Sequence, residues 1–179
     1  MKKIIFIVIV IIISFILYVN VNASVDEVII PDAAIRVRVI ANSNSIYDQS
    51  MKMKVKNYIE KTISSKLINV SDIDMAREVI NSEISNLNQG INDIFNQNNY
   101  NMEYVIHFGD NFFPEKVYKG VHYKEGSYES LVVTIGEGAG DNWWCVLFPP
   151  LCLLEGEDNN TEDVEYQFFV KKMLDKVFS

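Results

Sequence analysis

GEGAGDNWWCVLFPPLC, residues 136–152, decides how the rest of the chain is read. Three glycines lead into two adjacent tryptophans, two cysteines and a Pro-Pro pair. Trp143 and Trp144 together carry more apolar area than one turn of chain usually hides. Pro149 and Pro150 fix φ and remove two backbone donors, so the run can be neither a helix interior nor a central strand. The expectation is a rigid, apolar, partly presented loop.

Working outward, 179 residues with 49% hydrophobic content are enough for one domain with a proper core. A formal charge of −8 argues against nucleic acid, which needs a basic surface. The N-terminus has the layout of a targeting segment. Lys2-Lys3 precede an apolar run from Ile4 to Val19, and Val21-Asn22-Ala23 offers small residues at a signal-peptidase site. The run is a little short of the roughly 20 residues a spanning helix needs. A cleaved signal peptide and an uncleaved anchor are therefore both open, and either places the chain from about residue 24 outside the cytoplasm. Three regions follow: 1–23 signal or anchor, 24–154 an exported domain, and 155–179 an acidic linker and C-terminal helix completing it.

Export bears on Cys145 and Cys152. In an oxidising compartment they would close a small loop around both prolines. The rival reading is a pair of buried thiols, which pack as small hydrophobes.

Ile35, Val37 and Val39 alternate with Arg36, Arg38 and Ile40, so Val28 to Ala41 reads as a strand, with Pro31 restricting its early part to an edge or a lead-in. Asn42-Ser43-Asn44-Ser45 is turn chemistry. A helix follows, with Met51, Val55, Ile59, Ile63 and Leu67 at i+4 spacing and Asp48 as its N-cap. Ser71 to Asp74 resembles a capping box opening a second helix through Ile73, Ala76, Ile80, Ile84, Leu87, Ile91 and Phe95, which Gly90 weakens near its end. Met102, Tyr104, Ile106 and Phe108 alternate as a strand. Val117 to Tyr123 and Tyr128 to Ile135 read as further strands, joined by a turn around Gly126. The last segment fits a helix through Tyr166, Val170, Met173, Leu174 and Val177, after a short strand or none. The fold class is α+β, one domain with a mainly antiparallel or mixed sheet.

No catalytic constellation stands out. His107 and His122 carry no catalytic signature beside Cys145, and Cys-x6-Cys lacks zinc spacing, so no metal is expected. Gly136, Gly138 and Gly140 lack the Lys-Ser/Thr of a phosphate loop, so no cofactor is expected and the glycines read as mechanical. Lys52, Lys54, Lys56, Lys61 and Lys66 form a basic patch that reads first as a solvated helix face, with anionic lipid or an acidic partner as the alternative.

Two blocks carry a resemblance. One is Ile35-Arg36-Val37-Arg38-Val39-Ile40-Ala41-Asn42-Ser43-Asn44-Ser45 with Asp48-Gln49. The other runs from Tyr118-x-Gly120 through Tyr123, Gly126, Tyr128, Leu131 and Val133 to the NWWCVLFPPLC string. On these the chain resembles the stage II sporulation protein R family of endospore-forming bacteria. Departures are Asn44 for a frequent Asp, Asp141 for His or Gln, and Lys124 for a frequent Pro. The resemblance implies a protein made in the forespore and exported toward the mother cell. There it would trigger a membrane-embedded aspartic protease that cleaves the inactive precursor of sigma-E, with no enzymatic activity of its own and no small-molecule substrate. The expected partner surface comprises Asn142, Trp143, Trp144, Val146, Leu147, Phe148, Pro149, Pro150 and Leu151, with Asn42, Ser43, Arg36 and Arg38. Contact with the membrane surface is a further expectation. An exported cysteine-dependent wall hydrolase and a structural envelope protein are the competing classes.

Overall fold

The computed structural model describes residues 28–30, 33–118, 121–152 and 163–178. The leader segment, Pro31 and most of the acidic linker lie outside the described residues. The strands are β1 (Val28–Ile29), β2 (Ile35–Ile40), β3 (Tyr104–Phe113), β4 (Lys116–Tyr118), β5 (Val121–Tyr123), β6 (Gly126–Ile135) and β7 (Asn142–Phe148). The helices are α1 (Ile46–Ile59), α2 (Ile73–Gln97) and α3 (Asp163–Phe178). A π-turn over Glu60–Ser64 and a last helical turn over Ser65–Leu67 extend α1.

A four-stranded sheet in the order β3-β6-β2-β7 forms the centre, and β1-β5-β4 form a second, smaller sheet. β2 runs parallel to β6, while β3 and β7 are antiparallel to their neighbours, so the central sheet is mixed. The expected α+β domain with a mixed sheet is what the chain forms. The stretch read as one strand from Val28 to Ala41 is instead two, β1 and β2, in different sheets. Val117 to Tyr123 likewise splits into the hairpin β4–β5.

The two faces of the central sheet bury different cores. Ile35, Val37, Val39, Leu131, Val133, Ile135, Cys145 and Leu147 meet the apolar stripes of α1 and α2. On the other face Val146 joins Ile30, Ala34, Val121, Tyr123, Leu151 and Val170.

The helices show why local patterns needed correction. In an α-helix each four-residue step overshoots one turn by about 40°, so strict i+4 spacing drifts around the cylinder. Met51, Val55, Ile59, Ile63 and Leu67 are nonetheless all fully buried. The wider π-turn between Ile59 and Leu67 absorbs part of the drift and keeps the stripe on the sheet. Ser45, not Asp48, caps α1, its side chain accepting from the Asp48 backbone N–H. Asp72, not Ser71, caps α2, accepting from Asp74 and Met75. Gly90 lies inside α2, which runs on to Gln97. A Cβ there would lie 2.0 Å from the Tyr58 ring, so the missing side chain is where α1 and α2 approach closely.

A candidate recognition surface at the tryptophan edge

Residues 136–152 are not a presented loop. Only Gly136 to Asp141 is a loop, and Asn142–Phe148 is strand β7 at the sheet edge. The prolines sit where their chemistry allows, in the turn after the strand. Fully burying Val146, Leu147, Phe148 and Leu151 is worth about 1.5–3 kcal/mol each, which outweighs any conformational advantage of a free loop. Asn142, Trp144 and Val146 lie on the second face, Trp143, Cys145 and Leu147 on the helix face. A register shift opposite Ile35/Arg36 then sends Phe148 into the helix-side core as well. Cys145 and Cys152 form a disulfide, with Cα atoms 5.7 Å apart. Thus Val146, Leu147, Phe148, Pro149, Pro150 and Leu151 are buried supports, whereas Asn142, Trp143 and Trp144 are partly exposed.

The loop ahead of β7 is bolted to the loop after β2. β2 and β6 are parallel neighbours, so both loops leave the same end of the sheet. Asn42 Oδ1 accepts from the Glu137 N–H at 3.1 Å, and Asn44 Oδ1 accepts from the Asp141 N–H at 2.6 Å. Backbone bonds from Ala139 to Asn42 O and from Gly140 to Ala41 O close the junction. The glycines are mechanical, as the sequence suggests. Gly136 and Gly138 have φ of +56° and +64°, in the left-handed region. A Cβ on Gly140 would stand 2.3 Å from the Ser43 carbonyl oxygen, so backbone meets backbone there. Gly140→Ala is therefore expected to destabilise by roughly 2–3 kcal/mol by forcing the loops apart, measured as a fall in the denaturant midpoint.

Asp48 organises the junction from below. Its carboxylate accepts from Ser43 Oγ at 2.5 Å, Tyr100 Oη at 2.6 Å and Asn42 Nδ2 at 3.0 Å. The Ser43 and Tyr100 bonds, with smaller help from Asn42 and Ser45, outweigh desolvation and hold its pKa down at about 2. Burial, then the bond to Asp48, pushes the Tyr100 hydroxyl above its usual range. Neither Asp48 as an acceptor hub nor Tyr100 was singled out from sequence, because 52 residues separate them.

Of the five lysines read as a basic patch, Lys54, Lys61 and Lys66 are exposed. Lys52 and Lys56 are buried. Lys52 Nζ donates to Gln49 Oε1 at 2.5 Å and to the Asp141 carbonyl at 3.1 Å, and burial lowers its pKa. Lys56 pairs with Glu60 at 2.5 Å and lies 5.1 Å from the Trp143 ring centre. Lys54 bonds Asn98, and Lys66 pairs with Glu83.

The two arginines of β2 part company. Arg36 is buried, its guanidinium carbon 3.3 Å from the Tyr128 ring centre and near Phe113 and Tyr123. Arg38 is partly exposed, 5.5 Å from the Trp144 ring centre and 5.9 Å from Phe113. With its amide oriented to suit its donors, Asn142 Oδ1 accepts from Arg38 Nη2 at 2.7 Å. Phe113 also meets Trp144 edge-on at 5.5 Å. Each tryptophan thus packs beside a cation on its own face of the edge strand.

His122 bonds Glu115 Oε1 at 2.6 Å, and His107 is exposed on β3. Among the described residues no group of three or more His, Cys, Asp or Glu is placed to hold a metal ion, and no helix is long and apolar enough to cross a membrane.

The family model for stage II sporulation protein R matches residues 31–158, a span that contains the central sheet, both loops and the disulfide. The chain is similar to the stage II sporulation protein R of Bacillus subtilis (strain 168), 36% identical over 151 residues, covering 84% of this chain and 67% of that protein. No solved structure shows significant similarity. The chain belongs to the stage II sporulation protein R family.

Proposed function

We propose that this sporulation protein is an exported signal that acts by binding. In this reading residues 1–23 direct export, residues 24–154 form the signalling domain, and residues 155–179 complete it. The signal passes from the forespore into the space facing the mother cell. Its target is a membrane-embedded aspartic protease, which then processes the sigma-E precursor. Family membership supports the setting. The observation that carries the binding role is the pair Trp143 and Trp144, partly exposed on opposite faces of one edge strand.

Rigid aromatic groups suit a binding hot spot, because little side-chain entropy remains to be lost on association. β2, the disulfide and the bolted loops hold both rings before any partner arrives. The buried Val146 to Leu151 act through that support, and Asn42 and Ser43 adjoin the exposed rim. A partner embedded in a membrane would also bring tryptophan near the lipid interface, where it is favoured.

The test replaces Trp143 and Trp144 together with alanine in the full chain and follows sigma-E precursor processing in a sporulating host. Processing is expected to fall by at least about tenfold while export and the thermal midpoint of the disulfide-bonded protein are retained. Normal processing would remove the tryptophan edge from the mechanism.

A further inference from the structure

The second face of the central sheet is covered unevenly. The small sheet and α3 close over Val146, and Tyr123 of the small sheet lies against Arg36. One row nearer the bolted loops, the register places His107, Val132, Arg38 and Trp144 side by side across all four strands. His107 is exposed, and Arg38 and Trp144 are partly so. Thr134 and Asn142 lie in the next row toward the loops, also partly exposed. An apolar floor therefore carries a guanidinium at its centre and an imidazole at its margin.

The charge on this strip is not balanced from within. Among the described residues no carboxylate pairs with Arg38, although the chain as a whole carries −8. Burial alone lowers its pKa, with no anion acting the other way. A guanidinium offers five N–H donors in a planar fork, and Asn142 Oδ1 engages those on Nε and Nη2. The Trp144 Nε1 donor, in the residue paired with Arg38 across the strands, is buried without an acceptor. The indole donor is closed off, so the donors open to a partner are those that Arg38 does not give to Asn142. A partly desolvated cation gains most from a charged acceptor brought by a partner.

We propose that the His107–Val132–Arg38–Trp144 strip docks an extended, carboxylate-bearing segment of the protein partner, with Arg38 taking an Asp or Glu side chain. The inference rests on the binding role proposed above and adds the chemistry of what is bound. A carboxylate would take the terminal Nη edge of the fork, which Asn142 leaves open, and flanking apolar side chains would lie beside Val132 and the Trp144 ring. An anionic lipid surface is the weaker candidate, because it is held by clusters of basic side chains, whereas this strip presents one partly exposed guanidinium.

The chain has two tryptophans, so Trp143→Phe leaves Trp144 as the sole tryptophan, excited selectively at the red edge of the protein absorption. That full-length variant, kept disulfide-bonded in neutral detergent, is titrated with an acetylated six-residue peptide of alternating leucine and glutamate. Its glutamine counterpart and phosphatidylglycerol vesicles are run in parallel. A saturable change in Trp144 emission is expected with the glutamate peptide, at least about tenfold weaker with the glutamine peptide. Arg38→Gln should abolish that difference at an unchanged thermal midpoint, and Arg38→Lys should retain part of it. Equal response to both peptides, response to vesicles alone, or no response would each overturn the proposal. The titration involves no protease, so it can fail while the processing assay succeeds, and the reverse.

Discussion

Asp48→Ala is expected to lower the unfolding free energy by roughly 3–5 kcal/mol and the thermal midpoint by roughly 10 °C. The substitution strands the buried Tyr100 hydroxyl and frees Ser43 and Asn42, which lock the two loops beneath the tryptophan edge. The same group predicts an acid response. Its folded pKa is about 2 against 3.8 for the free side chain, so the unfolded chain binds the proton first. Its contribution, about 2 kcal/mol by linkage, is complete above the unfolded value and is lost as pH falls from about 4 to 2. Denaturant unfolding at pH 7 and pH 3 measures it. Wild type should lose more stability than Asp48→Asn over that interval, and parallel losses would show that the hydrogen bonds do not hold the carboxylate in its charged form.

Cys145→Ser and Cys152→Ser are each expected to cost about 3 kcal/mol, and by the same amount. Closing a loop of seven-residue separation removes about 2.5 kcal/mol of unfolded-state entropy on the chain-entropy account, and a buried serine hydroxyl adds a further penalty. Both sulfurs belong to residues at most 5% exposed, so loss of the bridge acts through packing of β7 rather than through a reactive thiol. Denaturant unfolding of the two variants, and of the wild type with and without reductant, measures the effect. Loss of signalling in Cys145→Ser with full signalling in Cys152→Ser would instead identify a nucleophile and favour an exported enzyme.

Alternating and helical periodicities were legible because they follow from one face of an element meeting a core. Ile35, Val37 and Val39 on one side of β2 and the stripe of α2 needed no tertiary information. Strand breaks were less legible. β1 and β2 read as one because nothing local says that Val28–Ile29 pairs with β5 while Ile35–Ile40 pairs with β6 and β7. Capping residues shifted by one to three positions because several polar side chains in each lead-in could accept the same N–H groups. The burial of Lys52 was not legible because one of its acceptors, the Asp141 carbonyl, lies far along the chain. Arg38 was identifiable as a surface candidate, whereas its row-mates His107 and Val132 follow only from strand register.

For residues 136–152, the sequence alone determined that its glycines are steric and that its prolines exclude a central strand. These are properties of single residues and of their permitted φ values. The two loops at one end of the sheet, the division of Trp143 and Trp144 between its faces, and the burial of Val146 to Leu151 were decided only by tertiary structure. The reason is geometric. Which face a strand residue occupies depends on its partner's register, and register is set by contacts between segments about a hundred residues apart.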